Sequence, residues 1–169
     1  MINIIIGNII MFISSVLMMI AGLPKSKKTC IILQTVQIFG MSIGNLFLGS
    51  FPGFFVNCFS GIRNIFAYKD KLKLPIKLLV IFLSIVVSLA FNNIGFFVIF
   101  PILSIITFTL GVDTKNVVLF KWLIILGNVF WLIHDVHVMS YVAVVFDILG
   151  TITNLIGIIR IKKSKREVV

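Results

Sequence analysis

The chain of 169 residues is 60% hydrophobic and 12% charged, with a mean hydropathy of +1.20. A soluble domain is about half apolar, so this balance excludes a water-soluble fold and points to an integral membrane protein. A spanning helix takes about 20 residues, which leaves room for some seven or eight spans and no soluble domain beside them. The net charge of +10 comes with no nucleic-acid-binding motif.

Charges and turn residues cut the chain into seven apolar segments. The first, residues 2–23, opens on "MINIIIGNIIMF", with neither a positive lead nor a small-residue cleavage pattern, and is expected to be a span rather than a removed signal. After "PKSKK" comes span two, residues 29–48, whose Gly40 and Gly44 form a G-x-x-x-G that allows a close helix crossing. Span three, residues 51–68, has Pro52 near its first helical position and carries Asn57 and Arg63. Span four, residues 74–91, follows "KDKLKLP" and starts likewise with Pro75. Span five, residues 95–110, holds Pro101, which is expected to kink it. Span six, residues 116–133, contains Lys121, expected to snorkel to the headgroups. Between it and span seven, residues 139–161, lies the polar connection "HDVHV". Cys30 and Cys58 make no C-x-x-C pair and sit among apolar residues, as buried small side chains rather than a disulfide or zinc knuckle.

Seven spans put the first, third and fifth connections on the side of the C-terminus. Every one of the 15 basic residues lies on or nearest that side: Lys25, Lys27 and Lys28; Arg63, Lys69, Lys71, Lys73 and Lys77; Lys115 and Lys121; Arg160, Lys162, Lys163, Lys165 and Arg166. Cytoplasmic loops carry the excess of Lys and Arg, so the N-terminus is expected outside and the C-terminus inside. The expected partners are the lipid bilayer and a small polar solute, with a homo-oligomer left open and nucleic acid excluded. No cofactor or metal is expected.

Polar side chains inside the hydrocarbon are costly, about 2.5 to 3.5 kcal/mol for Asp or Arg at a helix centre, so each requires a reason. Asp147 lies some 12 Å into span seven and Arg63 some 18 Å into span three by helical rise, and the two are expected to pair. The alternative has Asp147 protonated beside Ser or Thr, with Arg63 snorkelling. Asn57 and Asn154 can donate and accept, as recognition of a polar solute in a dry site requires; interhelical hydrogen bonding is the other reading. Trp131 is expected in the interfacial belt. His134, Asp135 and His137 offer three donors in four residues, short of a closed zinc site. An outward histidine beside Asp135 would sense external pH or pass a proton towards Asp147; otherwise the stretch is the wet end of two helices.

Three spans, one extra span and three more give two halves of the same orientation, the arithmetic of a parallel repeat. Residues 1–70 and 94–169 are then the repeats, and 71–93 the linking helix, within one transmembrane domain. A shift of 87 places Lys28 on Lys115 and Gly40 on Gly127. Asn57 with Arg63 also matches Asn154 with Arg160. A shift of 90 instead pairs Asn57 with Asp147 and Asn64 with Asn154. Both registers set polar groups of span three against those of span seven.

The segments "KKTCIILQ", "FLGSFPGFFVNCFSGIR", "WLIHD" and "NLIGIIR" resemble the YgjV-type bacterial inner-membrane protein family over nearly the whole chain. The most specific parts are Leu48, Gly49 and Pro52, the Trp131 and His134 pair, and the run from Asn154 to Arg160. Where that family has Asn three residues before the arginine of span three, this chain has Ser60, with Asn57 one turn earlier. The three, one, three layout is similar to the SWEET and PQ-loop transporters, without their Pro-Gln pair. That resemblance implies that Asn residues of spans three and seven line a substrate site. The functions left are a solute transporter or facilitator working by alternating access, or a non-transporting scaffold. No H-E-x-x-H, G-x-S-x-G or phosphate-cradling loop points to an enzyme.

Overall fold

The computed structural model describes residues 2–92, 94–137 and 140–166. Among these residues the chain forms seven α-helices: α1 Ile2–Ala21, α2 Lys27–Phe47, α3 Phe51–Tyr68, α4 Leu74–Ala90, α5 Ile99–Gly111, α6 Val117–His137 and α7 Tyr141–Arg166. A 3₁₀ turn, Gly95–Val98, runs directly into α5. Met139, the expected start of span seven, lies outside the described residues.

Two boundaries differ from the sequence expectation, and both have a local cause. Helix α6 continues through "HDVH" to His137; the stretch has no Gly or Pro, and a change of polarity alone does not break the backbone ladder. Pro101 is the third residue of α5, where its missing N–H has no intrahelical acceptor to lose. The 3₁₀ turn before α5 stands where an interior kink was expected.

The connection from α2 to α3 shows how sequence sets direction. Gly49 takes φ +75°, the left-handed conformation that ends a helix at little cost for glycine. The Ser50 N–H then donates to the Asn45 carbonyl at 2.9 Å and the Gly49 N–H to that of Leu46 at 3.1 Å, and Pro52 opens the next helix. The end of α3 repeats the device with Asp70 at φ 54°, where Lys71 N–H donates to the Phe66 carbonyl at 2.9 Å.

Helix α1 packs on α2 and α7, α2 on α3, α5 on α6, and α6 on α7, while α4 lies against α3 and α5. Glycines set the closest approaches. A Cβ on Gly44 would meet Met11, and one on Gly40 would meet Ser14, so the G-x-x-x-G face of α2 lies directly on α1. Gly157 of α7 stands 2.5 Å, at the Cβ it lacks, from the Gly22 carbonyl at the end of α1.

The exterior is apolar and the interior polar. Large side chains such as Ile13, Phe82, Phe96 and Ile159 are more than half exposed, whereas Gln34, Asn45, Asn57, Asn64, Asn128 and Asn154 are buried. An exterior of this kind suits a hydrocarbon solvent and not water. Three helical stretches, Lys27–Phe47, Val117–His137 and Val142–Ser164, are long and apolar enough to cross a membrane by length and composition. Ile5–Ala21, Leu74–Ala90 and Gly95–Gly111 are shorter apolar helices.

The helix boundaries recur at one spacing. Helix α1 ends at 21 and α5 at 111, α2 runs 27–47 and α6 117–137, and α3 starts at 51 and α7 at 141, each an offset of 90 residues. The turns agree as well, since the Ser140 N–H donates to the Asp135 carbonyl at 2.9 Å as Ser50 does to Asn45. Of the two registers legible in the sequence, the boundaries follow the shift of 90.

Candidate functional site

A cavity of about 110 Å³ lies between α1, α2, α3, α5, α6 and α7. Its wall combines amides and hydroxyls with three methionines, Met11, Met18 and Met41, and with the side chains of Arg63, Asp135 and Asp147. Many lining positions come in pairs 90 residues apart: Asn45 and Asp135, Asn57 and Asp147, Gln37 and Gly127, Ile38 and Asn128, Met41 and Trp131. The first half therefore presents amides at two places where the second presents acids.

Asp147 is 7% exposed, and its Oδ2 makes no hydrogen bond. Its carboxyl faces that of Asp135 closely enough for direct interaction. Asp135 Oδ1 in turn lies 2.8 Å from His134 Nδ1, and both residues are buried. The expected wet connection is thus a buried chain of three titratable groups running from His134 through Asp135 to Asp147. His137 is separate: its ring is exposed and stacks on Phe97 with centroids 3.6 Å apart.

Arg63 does not pair with Asp147, contrary to the sequence expectation. Asp147 and Asn57 are each the seventh residue of their helices, and Arg63 lies six residues beyond Asn57, roughly 9 Å further along the axis at 1.5 Å per residue. At 3% exposure it does not snorkel either. Its Nε and Nη2 donate to Asn64 Oδ1 at 3.1 and 2.9 Å and Nη1 to Thr109 Oγ1 at 3.3 Å. The guanidinium carbon sits 4.5 Å from the Phe108 ring centroid. Three of its five N–H groups are engaged, leaving two, and no ion pair among the described residues joins it to an acid.

Three of the four expected solute contacts, Asn57, Arg63 and Asp147, line the cavity. Asn154 does not; it is buried, its Nδ2 donates to the Gly150 carbonyl of its own helix at 2.9 Å, and its Oδ1 has no partner. Trp131 lines the cavity and meets the His134 ring edge-on at 5.3 Å rather than sitting in an interfacial belt. Lys121 is fully buried and donates to the Gly22 carbonyl at 2.7 Å. The free carbonyls of the α1 C-terminus hold it there, since cations are favoured at that end of a helix. Asn45, Asn128, Gln34 and Gln37 line the cavity as well. The shift of 90 pairs Asn45 with Asp135 and was the signal that finds the first of them.

Towards the α2 and α6 N-termini the cavity borders an apolar cluster, with which it shares Phe108 and Ile124. Cys30 and Ile31 of α2, Ala67 of α3, Phe108 of α5 and Phe120 and Ile124 of α6 form one buried apolar cluster there. Lys27 ties the same end together, its Nζ donating to the Thr114 carbonyl at 2.6 Å.

A family model described as bacterial inner membrane protein, Imp-YgjV, matches residues 5–165. The chain belongs to that family. It is accordingly a protein of the bacterial inner membrane, and the apolar exterior of the bundle is the surface that meets lipid. No curated protein and no solved structure matches it.

Proposed function

We propose that this protein is a transporter or facilitator of a small polar solute, working by alternating access. In this reading all seven helices span the membrane, with the basic end in the cytoplasm and the N-terminus outside. Helices α1–α3 and α5–α7 are two parallel three-helix halves joined by α4, an arrangement similar to that of the SWEET transporters. The observation that carries the reading is the cavity itself: it lies between the two halves, and residues 90 apart face it from both. Rocking of one half against the other would expose such a site to each side in turn.

Asn57, Arg63 and Asp147 serve as solute contacts, and Asn154 supports α7 from behind the wall. The contiguous His134, Asp135 and Asp147 supply a route for a proton between the cavity and the far end of α6. The apolar cluster around Phe108 and Phe120 is the closed cytoplasmic gate.

The test is flux into liposomes of purified protein, with a panel of sugars, amino acids and small organic ions, with and without a pH gradient. Saturable entry that Asp147→Asn and Asn57→Ala abolish is the expected result. Folded protein that moves nothing on the panel would instead favour a scaffold in which these groups only join helices.

A further inference from the structure

The cavity is neither uniformly polar nor uniformly charged. One pole holds the facing carboxyls of Asp135 and Asp147, with Asp147 Oδ2 unpartnered. The other pole holds the Arg63 guanidinium, with two N–H groups unused and no acid against it. Both poles line the same space, yet no ion pair closes the gap between them. A buried cation and buried carboxyls left apart in a medium of low dielectric are each costly to keep unpaired. Side chains with so many rotamers would be drawn together unless the packing held them apart. Asn64 and Thr109 hold the guanidinium from one side and Phe108 covers its face; His134 holds Asp135 from another.

We infer that the cavity binds a small zwitterion of the amino-acid type, its carboxylate on Arg63 and its ammonium on Asp135 and Asp147. This rests on the transporter reading only for what happens after binding; the recognition itself needs just the cavity and its two poles. A solute a few bonds long, with one charge-assisted hydrogen bond of about 2.8 Å at each end, can touch both poles, since Arg63, Asp135 and Asp147 all line the one cavity. Each of its charges meets the opposite one, so binding supplies an acid to Arg63 and a donor to Asp147 Oδ2, which has none. An uncharged polyol would leave both poles unpaired, and a solute with one charge would leave the other pole unpaired. The methionines Met11, Met18 and Met41 on the wall offer an adaptable apolar surface for a short side chain.

The test uses the whole protein in lipid nanodiscs and calorimetric titration with L-alanine, propionate, propylamine and glycerol. Propionate and propylamine each keep one end of alanine, so wild-type protein alone answers the question without any variant. Alanine should bind at least about tenfold tighter than any of the other three. In Asp147→Asn protein its affinity should fall towards that of propionate, while propionate, which has no ammonium to lose a partner, should bind no more weakly than to wild type. Arg63→Lys keeps the charge without the fork and should weaken alanine and propionate alike. Propionate, propylamine or glycerol binding as well as alanine would overturn the inference, as would no binding by alanine. Uptake into liposomes is read separately. Alanine that binds without crossing upholds this site and overturns transport, whereas saturable glycerol or sugar flux without alanine binding does the reverse.

Discussion

Asn45 and Asp135 occupy the same place in two different helices: each is third from the end, and each carbonyl accepts a hydrogen bond at 2.9 Å from a serine five residues on. Both side chains face one cavity. One backbone position thus carries an amide in the first half and an acid in the second, and the same holds for Asn57 and Asp147.

The opposed carboxyls predict a conflict between stability and activity. Asp147→Asn replaces one of two facing acids with a group that can donate to Asp135. The variant should be more stable by about 1 kcal/mol, the worth of one net hydrogen bond, and yet inactive in solute flux. Thermal unfolding in detergent beside liposome uptake checks both; a destabilised but active variant would contradict the pairing.

Arg63 and Thr109 predict a coupling between α3 and α5. Arg63→Lys and Thr109→Val should each lower stability, and the double variant should lose about 1 kcal/mol less than the two together. Simple additivity in a denaturation cycle would mean that the 3.3 Å contact between them carries nothing.

Two glycines predict two different penalties. Gly157→Ala sets a Cβ 2.5 Å from the Gly22 carbonyl, a backbone atom that cannot rotate away, and should cost about 1–3 kcal/mol by forcing α1 from α7. Gly49→Ala meets nothing within 4 Å but keeps φ at +75°, and should cost about 1–2 kcal/mol through the backbone alone. Gly49→Asn, which tolerates that conformation better, should recover much of the loss, whereas no residue larger than glycine should do so at 157. Melting temperatures of the four proteins decide this.

Lys121 predicts a stability effect free of any flux assay. Lys121→Ala removes a fully buried side chain and strips the Gly22 carbonyl of its donor, with a loss of about 2 kcal/mol expected. Lys121→Met keeps the packing and should lose less. Equal melting temperatures for wild type and both variants would show that the bond is immaterial.

The two tryptophans predict a binding signal. Trp131 lines the cavity, while Trp122 is 47% exposed on the outer surface. A bound solute should therefore change the emission of Trp122→Phe protein and leave that of Trp131→Phe protein unaltered.

The helices were legible in the sequence because bilayer thickness and turn chemistry act locally. Gly49 with Pro52, the "PKSKK" run and the "KDKLKLP" run each mark an end that the structure places within a few residues. "HDVH" misled because polarity is not a breaker: three charged or polar residues in four can finish a helix as well as leave it. The buried polar residues were legible as costly, so Asn57, Arg63 and Asp147 stood out. Their partners were not, since pairing depends on depth, and an error of two residues in the start of α7 moves Asp147 about 3 Å along the axis. Lys121 was misjudged for a related reason. Its distance from the helix end allowed snorkelling, but only the packed structure shows the Gly22 carbonyl waiting beside it.

Helix α4 has a consequence beyond connection. Two separate, identical chains meeting about an axis must present the same residue on both walls of whatever they enclose. An acid on one side would then be answered by the same acid on the other, four carboxyls around one small space. A single chain that passes through α4 is under no such obligation, and its two walls can diverge one codon at a time. The opposition of Asn45 to Asp135, and of Asn57 to Asp147, is closed to a symmetric pair of identical chains and open to a chain of this kind: lopsidedness at the centre is what continuity of the backbone makes available.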